Sequence, residues 1–197
     1  MPRLPALTLR IVVLAALFPA AYGQAPDKFE RETDVKASAV PEPARRWLAD
    51  AFESLRSPRW SREIYESGYS YEAKFRWRSQ YYSVEFGPDG AIQDVEVETE
   101  FTDLPASVQR NVLDYLSSAY RRHDIRRVQV QYSGEPDDLE DFFDENERDD
   151  LIVRYEIEYT AKIDSGPGHY REGLFDEAGR HLQSRRVILP PVDNLIF

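Results

Sequence analysis

The side chains that could do chemistry are few. Histidine occurs only as His123, His169 and His181. A last hairpin turning between Glu177 and Ala178 would pair His181 with Leu174 and His169 with Arg186. The two histidines would then stand about five rows apart, roughly 16 Å at ~3.3 Å per residue, too far to share a metal. They read as surface histidines. There is no cysteine, which removes disulfides, thiolate metal sites, a cysteine nucleophile and a lipid-anchored cysteine. The chain has no G-x-S-x-G elbow, no H-E-x-x-H pair and no glycine-rich phosphate loop. Carboxylate pairs could serve as acid and base, but with 36 Asp and Glu some pairs arise by chance. These observations point to binding, not to an enzyme, and they imply no cofactor.

The densest charge lies between Glu135 and Asp150, where acids far outnumber the single base, Arg148. Asp137, Asp138, Asp141, Asp144 and Glu145 are the candidate ligands there. The stretch reads as a Ca²⁺ or small-ligand site, as a contact for a basic partner, or as a solvated loop. The calcium-loop spacing D-x-[DN]-x-[DN]-G is absent. Leu139, Phe142 and Phe143 are spaced to form one short amphipathic turn docked on a sheet.

Strands and helices must position these groups. Tyr69, Tyr71, Ala73, Phe75 and Trp77 alternate with Ser70, Glu72, Lys74 and Arg76, the period-two pattern of a sheet with a dry and a wet side. Tyr82, Val84 and Phe86 follow in phase. Gly87-Pro88-Asp89-Gly90 turns the chain, and Val95, Val97, Thr99 and Phe101 complete a meander. Later, Leu151 to Ile163 alternates over its whole length. Apolar stripes predict helices over 41–55 and 105–120. The wet side offers Glu72, Lys74, Arg76, Tyr81, Glu85, Arg154, Glu156 and Glu158 as a partner-binding surface. It is either a solvated face or a concave docking surface built from two sheets side by side.

The layout recurs. Val40-Pro41 answers Leu104-Pro105, and Phe86-Gly87-Pro88-Asp89-Gly90 answers Phe175-Asp176-Glu177-Ala178-Gly179. The expected fold class is therefore α+β: two tandem units, each one helix packed on an antiparallel sheet of about four strands. Residues 1–23, with Arg3 and Arg10 before an apolar run and Ala21-Tyr22-Gly23 at its end, read as a secretory signal peptide. Residues 24–39 read as a flexible lead-in, 40–103 as the first unit and 104–189 as the second, with the acidic loop at 134–150. Residues 190–197 form a C-terminal tail. The expected location is the periplasm or the exterior, without stable membrane insertion after cleavage. The net charge of −11 disfavours nucleic acid as a partner.

Tyr71-Glu72-Ala73-Lys74-Phe75, Tyr82-Ser83-Val84-Glu85-Phe86 with Pro88-Asp89-Gly90, and the Leu104-Pro105 helix start resemble the PepSY-like, β-lactamase-inhibitor-like family of exported bacterial proteins. That resemblance implies a helix on an antiparallel sheet, often in tandem. It also implies binding, inhibition or modulation of an extracytoplasmic protein. The matched positions are core and turn positions, so the resemblance assigns no inhibitory residue.

Overall fold

A computed structural model describes residues 27–29, 32–65, 68–147 and 150–188. The expected signal peptide at 1–23 and the expected tail at 190–197 lie outside the described residues. The elements in chain order are β1 (Lys28–Phe29), β2 (Glu32–Val35), α1 (Glu42–Ala51), β3 (Arg59–Tyr65), β4 (Gly68–Trp77), β5 (Gln80–Phe86) and β6 (Ile92–Thr99). They continue with α2 (Ala106–Ala119), β7 (Arg122–Ser133), α3 (Pro136–Asp144), β8 (Ile152–Lys162), β9 (His169–Asp176) and β10 (His181–Ile188).

The expectation of two tandem units, each a helix on about four strands, is overturned. Strands β2 to β10 form one antiparallel sheet in the order β10-β9-β8-β7-β6-β5-β4-β3-β2, and β1 adds a parallel edge beside β10. The fold is β-rich. The junction is the direct pairing of β6 with β7, Val95 opposite Tyr132 and Thr99 opposite Val128. That pairing satisfies a row of backbone donors and acceptors that a self-contained meander would leave open at its edge.

Alternation decides what each face of the sheet meets. Along β8, Val153, Tyr155, Ile157, Tyr159 and Ala161 are buried while Arg154, Glu156, Glu158 and Thr160 are partly exposed. The apolar face is covered by the helices. One buried cluster under α1 joins Trp47, Leu48 and Phe52 to Tyr71, Phe75, Val84 and Phe86. A second under α2 joins Val108, Val112 and Leu116 to Tyr155, Ile157 and Phe175. Leu139 and Phe143 of α3, from the second half of the chain, complete the first cluster. The Trp47 Nε1–H donates to the Pro136 carbonyl at 3.0 Å, fastening α3 to α1. The core under α1 is therefore completed by residues from the second half of the chain, a second reason why two independent units do not form.

Two glycines bring turns against helix starts. A side chain on Gly90 would sit 2.8 Å from Pro41 Cβ, and one on Gly179 would sit 2.8 Å from the Val108 backbone. Both glycines also hold positive φ, which costs glycine little.

The lead-in at 24–39 supplies both edge strands of the sheet. A two-residue and a four-residue strand need ladder hydrogen bonds, not an apolar period, so periodicity does not reveal them. The last hairpin also departs from the expected pairing. Asp176 and Arg180 close the turn, His181 stands opposite Phe175, and an irregularity at Leu182 places Arg186 opposite Arg171. A bulge of this kind adds one residue to one strand, which shifts every pair beyond it.

Candidate functional site

The sheet curls until its ends approach. Strand β1 lies at one end of the strand order and β2 at the other, yet only two residues separate them in sequence. Three Cα–Cα steps of ~3.8 Å allow the edges to stand no more than about 11 Å apart at that point. The helices lie outside and the wet face lies within.

That inner face encloses a cavity of about 430 Å³. Strands from both ends of the order line it, from Glu32, Glu63, Glu72 and Lys74 on β2–β4 to Tyr170 and Arg185 on β9–β10. Glu85, Asp94, Glu96, Arg127, Gln129, Gln131, Glu156 and Glu158 fill the middle. Among the described residues that line it, eight carboxylates thus face three cations, Lys74, Arg127 and Arg185.

Neighbours along and across the strands hold these side chains in place. Lys74 Nζ lies 2.9 Å from Glu72 and 3.0 Å from Glu32. The Ser61 hydroxyl donates to Glu32 at 2.7 Å. The Gln129 amide donates to Glu96 at 2.7 Å, and both of these side chains are buried. Arg127 bridges Glu98 at 3.1 Å and Glu158 at 3.5 Å, while Arg185 meets Glu172 at 2.6 Å. The Tyr170 hydroxyl donates to Glu158.

Burial and charge pull these groups in opposite directions. Burial raises the Glu72 carboxyl above its usual range, and the Lys74 ammonium only partly offsets this. Burial also acts upward on Glu32, but hydrogen bonds from Ser61 and Lys74 outweigh it and hold the pKa at about 2. For Lys74, Arg127 and Arg185 burial disfavours the cation, yet flanking carboxylates prevail and raise all three pKa values. The result is a partly desolvated, negatively biased basin whose low dielectric strengthens attraction for a cationic group.

Among the residues expected to bind a partner, Glu72, Lys74, Glu85, Glu156 and Glu158 line the cavity. Arg76 and Tyr81 sit at the exposed end of the β4–β5 hairpin, with the guanidinium 5.5 Å from the Tyr81 ring. Arg154 reaches Ser133 at 3.4 Å. Sequence reasoning missed Glu32, Glu63, Asp94, Glu96, Arg127, Gln129, Gln131, Tyr170 and Arg185. Part of the signal was present, since Asp94 and Glu96 flank Val95, and Arg127, Gln129 and Gln131 alternate with Val128 and Val130. The expected docking surface from two sheets is one rolled sheet.

The candidate metal ligands follow α3. Asp137, Asp138, Asp141 and Asp144 lie along the helix, and Glu145 follows its end. Leu139 and Phe143 point from the same helix into the core. Among the described residues, no group of three or more metal-ligating side chains is gathered to hold an ion. No helix among them is long and apolar enough to cross a membrane.

No known family model matches the sequence, and no curated protein matches it. Among solved structures, a DUF2874 family protein from Bacteroides ovatus matches with a TM-score of 0.50 and 12% identity, over 75% of this chain and 87% of that chain. A Bacteroides eggerthii protein, provisionally described as periplasmic, gives 0.49 and 15% over 75% and 88%. A BLIP-like protein from Bacteroides fragilis gives 0.47 and 16% over 75% and 86%. The chain shares its fold with the first of these. At such identities the likeness is one of fold alone.

Proposed function

We propose that this chain is an exported, non-catalytic binding protein that inhibits or modulates another extracytoplasmic protein, and that the rolled wet face receives that partner. One observation carries the reading: a cavity of about 430 Å³ lies on a sheet face where, among the described residues, eight carboxylates outnumber three cations. A face of this kind attracts basic groups and aligns them through fixed hydrogen-bond partners. The excess of acid points to a lysine- or arginine-bearing segment of the partner as the part that enters. The signal-like residues 1–23 support export. The resemblance of Tyr71–Phe75 and Tyr82–Gly90 to the PepSY-like, β-lactamase-inhibitor-like proteins supports the binding class.

The test is affinity capture from an extracytoplasmic fraction, with the retained protein then titrated against purified chain. The paired variant Glu156→Gln with Glu158→Gln should keep its circular dichroism spectrum. It should bind at least about tenfold more weakly, equivalent to roughly 1.4 kcal/mol. Unchanged affinity in a folded variant removes the wet face from the binding role.

A further inference from the structure

Consecutive cross-strand pairs of the β9–β10 hairpin treat charge in opposite ways. On the inner face Glu172 stands opposite Arg185, and the two form an ion pair at 2.6 Å. One residue along, on the helix-covered face, Arg171 stands opposite Arg186. Like charges placed directly across a ladder repel each other. Neither arginine has an ion pair with a carboxylate among the described residues.

Arg171 is the more unusual of the two. It is only 6% exposed, and its Nε is buried without a hydrogen-bond partner. Its guanidinium lies 5.6 Å from the centre of the Tyr120 ring, which eases the burial of a cation but does not neutralise it. On the other side, Arg171 pairs in register with Tyr159. The Tyr120 and Tyr159 hydroxyls are 3.1 Å apart in the buried second cluster. The Ser184 hydroxyl also bonds Tyr159 and lies 3.4 Å from the Tyr115 hydroxyl, so these hydroxyls already satisfy one another.

We propose that Arg171 and Arg186 are the two arms of a binding site for a small oxyanion, floored by the Tyr120 ring. The argument is one of charge. A buried guanidinium without a counter-charge is unfavourable, and a second arginine opposite makes it more so. An oxyanion between them reverses both penalties. Guanidinium forks match the planar or tetrahedral oxygens of carboxylate, sulfate and phosphate. Arg186 is exposed and marks the side from which the anion enters. The site lies on the face opposite the acidic cavity and takes ligands of opposite charge, so it stands independently of the proposed partner surface.

The test is calorimetric titration and thermal melting of the full chain with sodium phosphate, sodium sulfate and sodium acetate, each at ionic strength matched with sodium chloride. Wild-type protein should bind at least one of the three anions and melt higher in its presence than in the matched chloride. A response to acetate without phosphate or sulfate identifies a carboxylate as the source. A response to phosphate or sulfate identifies the free inorganic ion. Arg186→Gln, at an exposed position, should keep the fold and weaken binding at least about tenfold. Arg171→Met should abolish the response while melting no lower than wild type in chloride alone, because the unpaired buried charge is gone. Should Arg171→Met fail to fold, Arg186→Gln decides. The site is refuted if wild-type protein shows neither heat nor a melting shift with any of the three anions at tens of millimolar. It is also refuted if the response is undiminished in Arg186→Gln.

Discussion

The two faces of the sheet are built from the same strands, yet they do different work. The helix-covered face is dry and aromatic. Phe52, fully buried at the end of α1, meets the rings of Trp47, Phe75, Trp77, Tyr82 and Phe143 at centroid distances of 4.9 to 6.4 Å. The inner face has a lattice of carboxylates, amides and cations around a cavity. Ring packing of the first kind stabilises strongly and does not depend on pH. Ion pairs of the second kind add modestly to stability because desolvation offsets the attraction. The comparison teaches that stability is concentrated on one face while charge available for recognition is concentrated on the other.

The largest expected effect comes from breaking the dry face. Phe52→Ala should cost about 3–5 kcal/mol of unfolding free energy, as expected for a fully buried ring. Urea melts followed by circular dichroism would measure it. A loss below about 1 kcal/mol would mean that the cluster around Phe52 does not hold the sheet.

Next is Leu139→Ala, which tests whether α3 belongs to the first cluster. Leu139 is fully buried there, so its truncation should cost about 2–5 kcal/mol. Amide exchange should rise along α3 before it rises along β8. Stability equal to wild type would reduce α3 to an exposed acidic appendage.

The smallest effect belongs to the wet face and depends on pH. Glu32 has a folded pKa of about 2 against an ordinary value of 4.5. A depressed folded pKa stabilises above the unfolded value and loses that contribution as pH falls through the folded one. The contribution should therefore be complete above about pH 4.5 and decline from there toward pH 2. Glu72 has the opposite sign, since burial raises its pKa. It favours the fold when protonated, and that contribution is lost as pH rises through its folded value. Melting temperatures of wild type and Glu32→Gln should converge below pH 4.5. A difference that does not change with pH would remove Glu32 from the titration.

The inner surface was half legible in the chain. Glu72, Lys74, Glu85, Glu156 and Glu158 could be placed on a wet face because their strands alternate cleanly. Glu32 and Arg185 could not be connected to them. One sits in a four-residue strand without an apolar period, and the other lies beyond an irregularity at Leu182 that counting from the turn does not reveal. The pairing of Arg171 with Arg186 was hidden for the same reason. A shift of one residue moves each side chain to the other face. The acidic stretch showed its Leu139, Phe142 and Phe143 spacing plainly. Nothing in it indicated that those residues would enter the cluster under α1.

The sequence by itself determined which side of each long strand turns from water, where α1 and α2 lie and where the chain must turn. These are local consequences of side-chain period and of proline and glycine geometry. Tertiary structure alone decided that β6 would join β7 in one continuous sheet, and that β1 and β2 would stand at its two ends. It also decided that the enclosed face would be the charged one. Curvature and strand neighbours accumulate from twist and long-range pairing across the whole sheet, and no short window of sequence contains that sum.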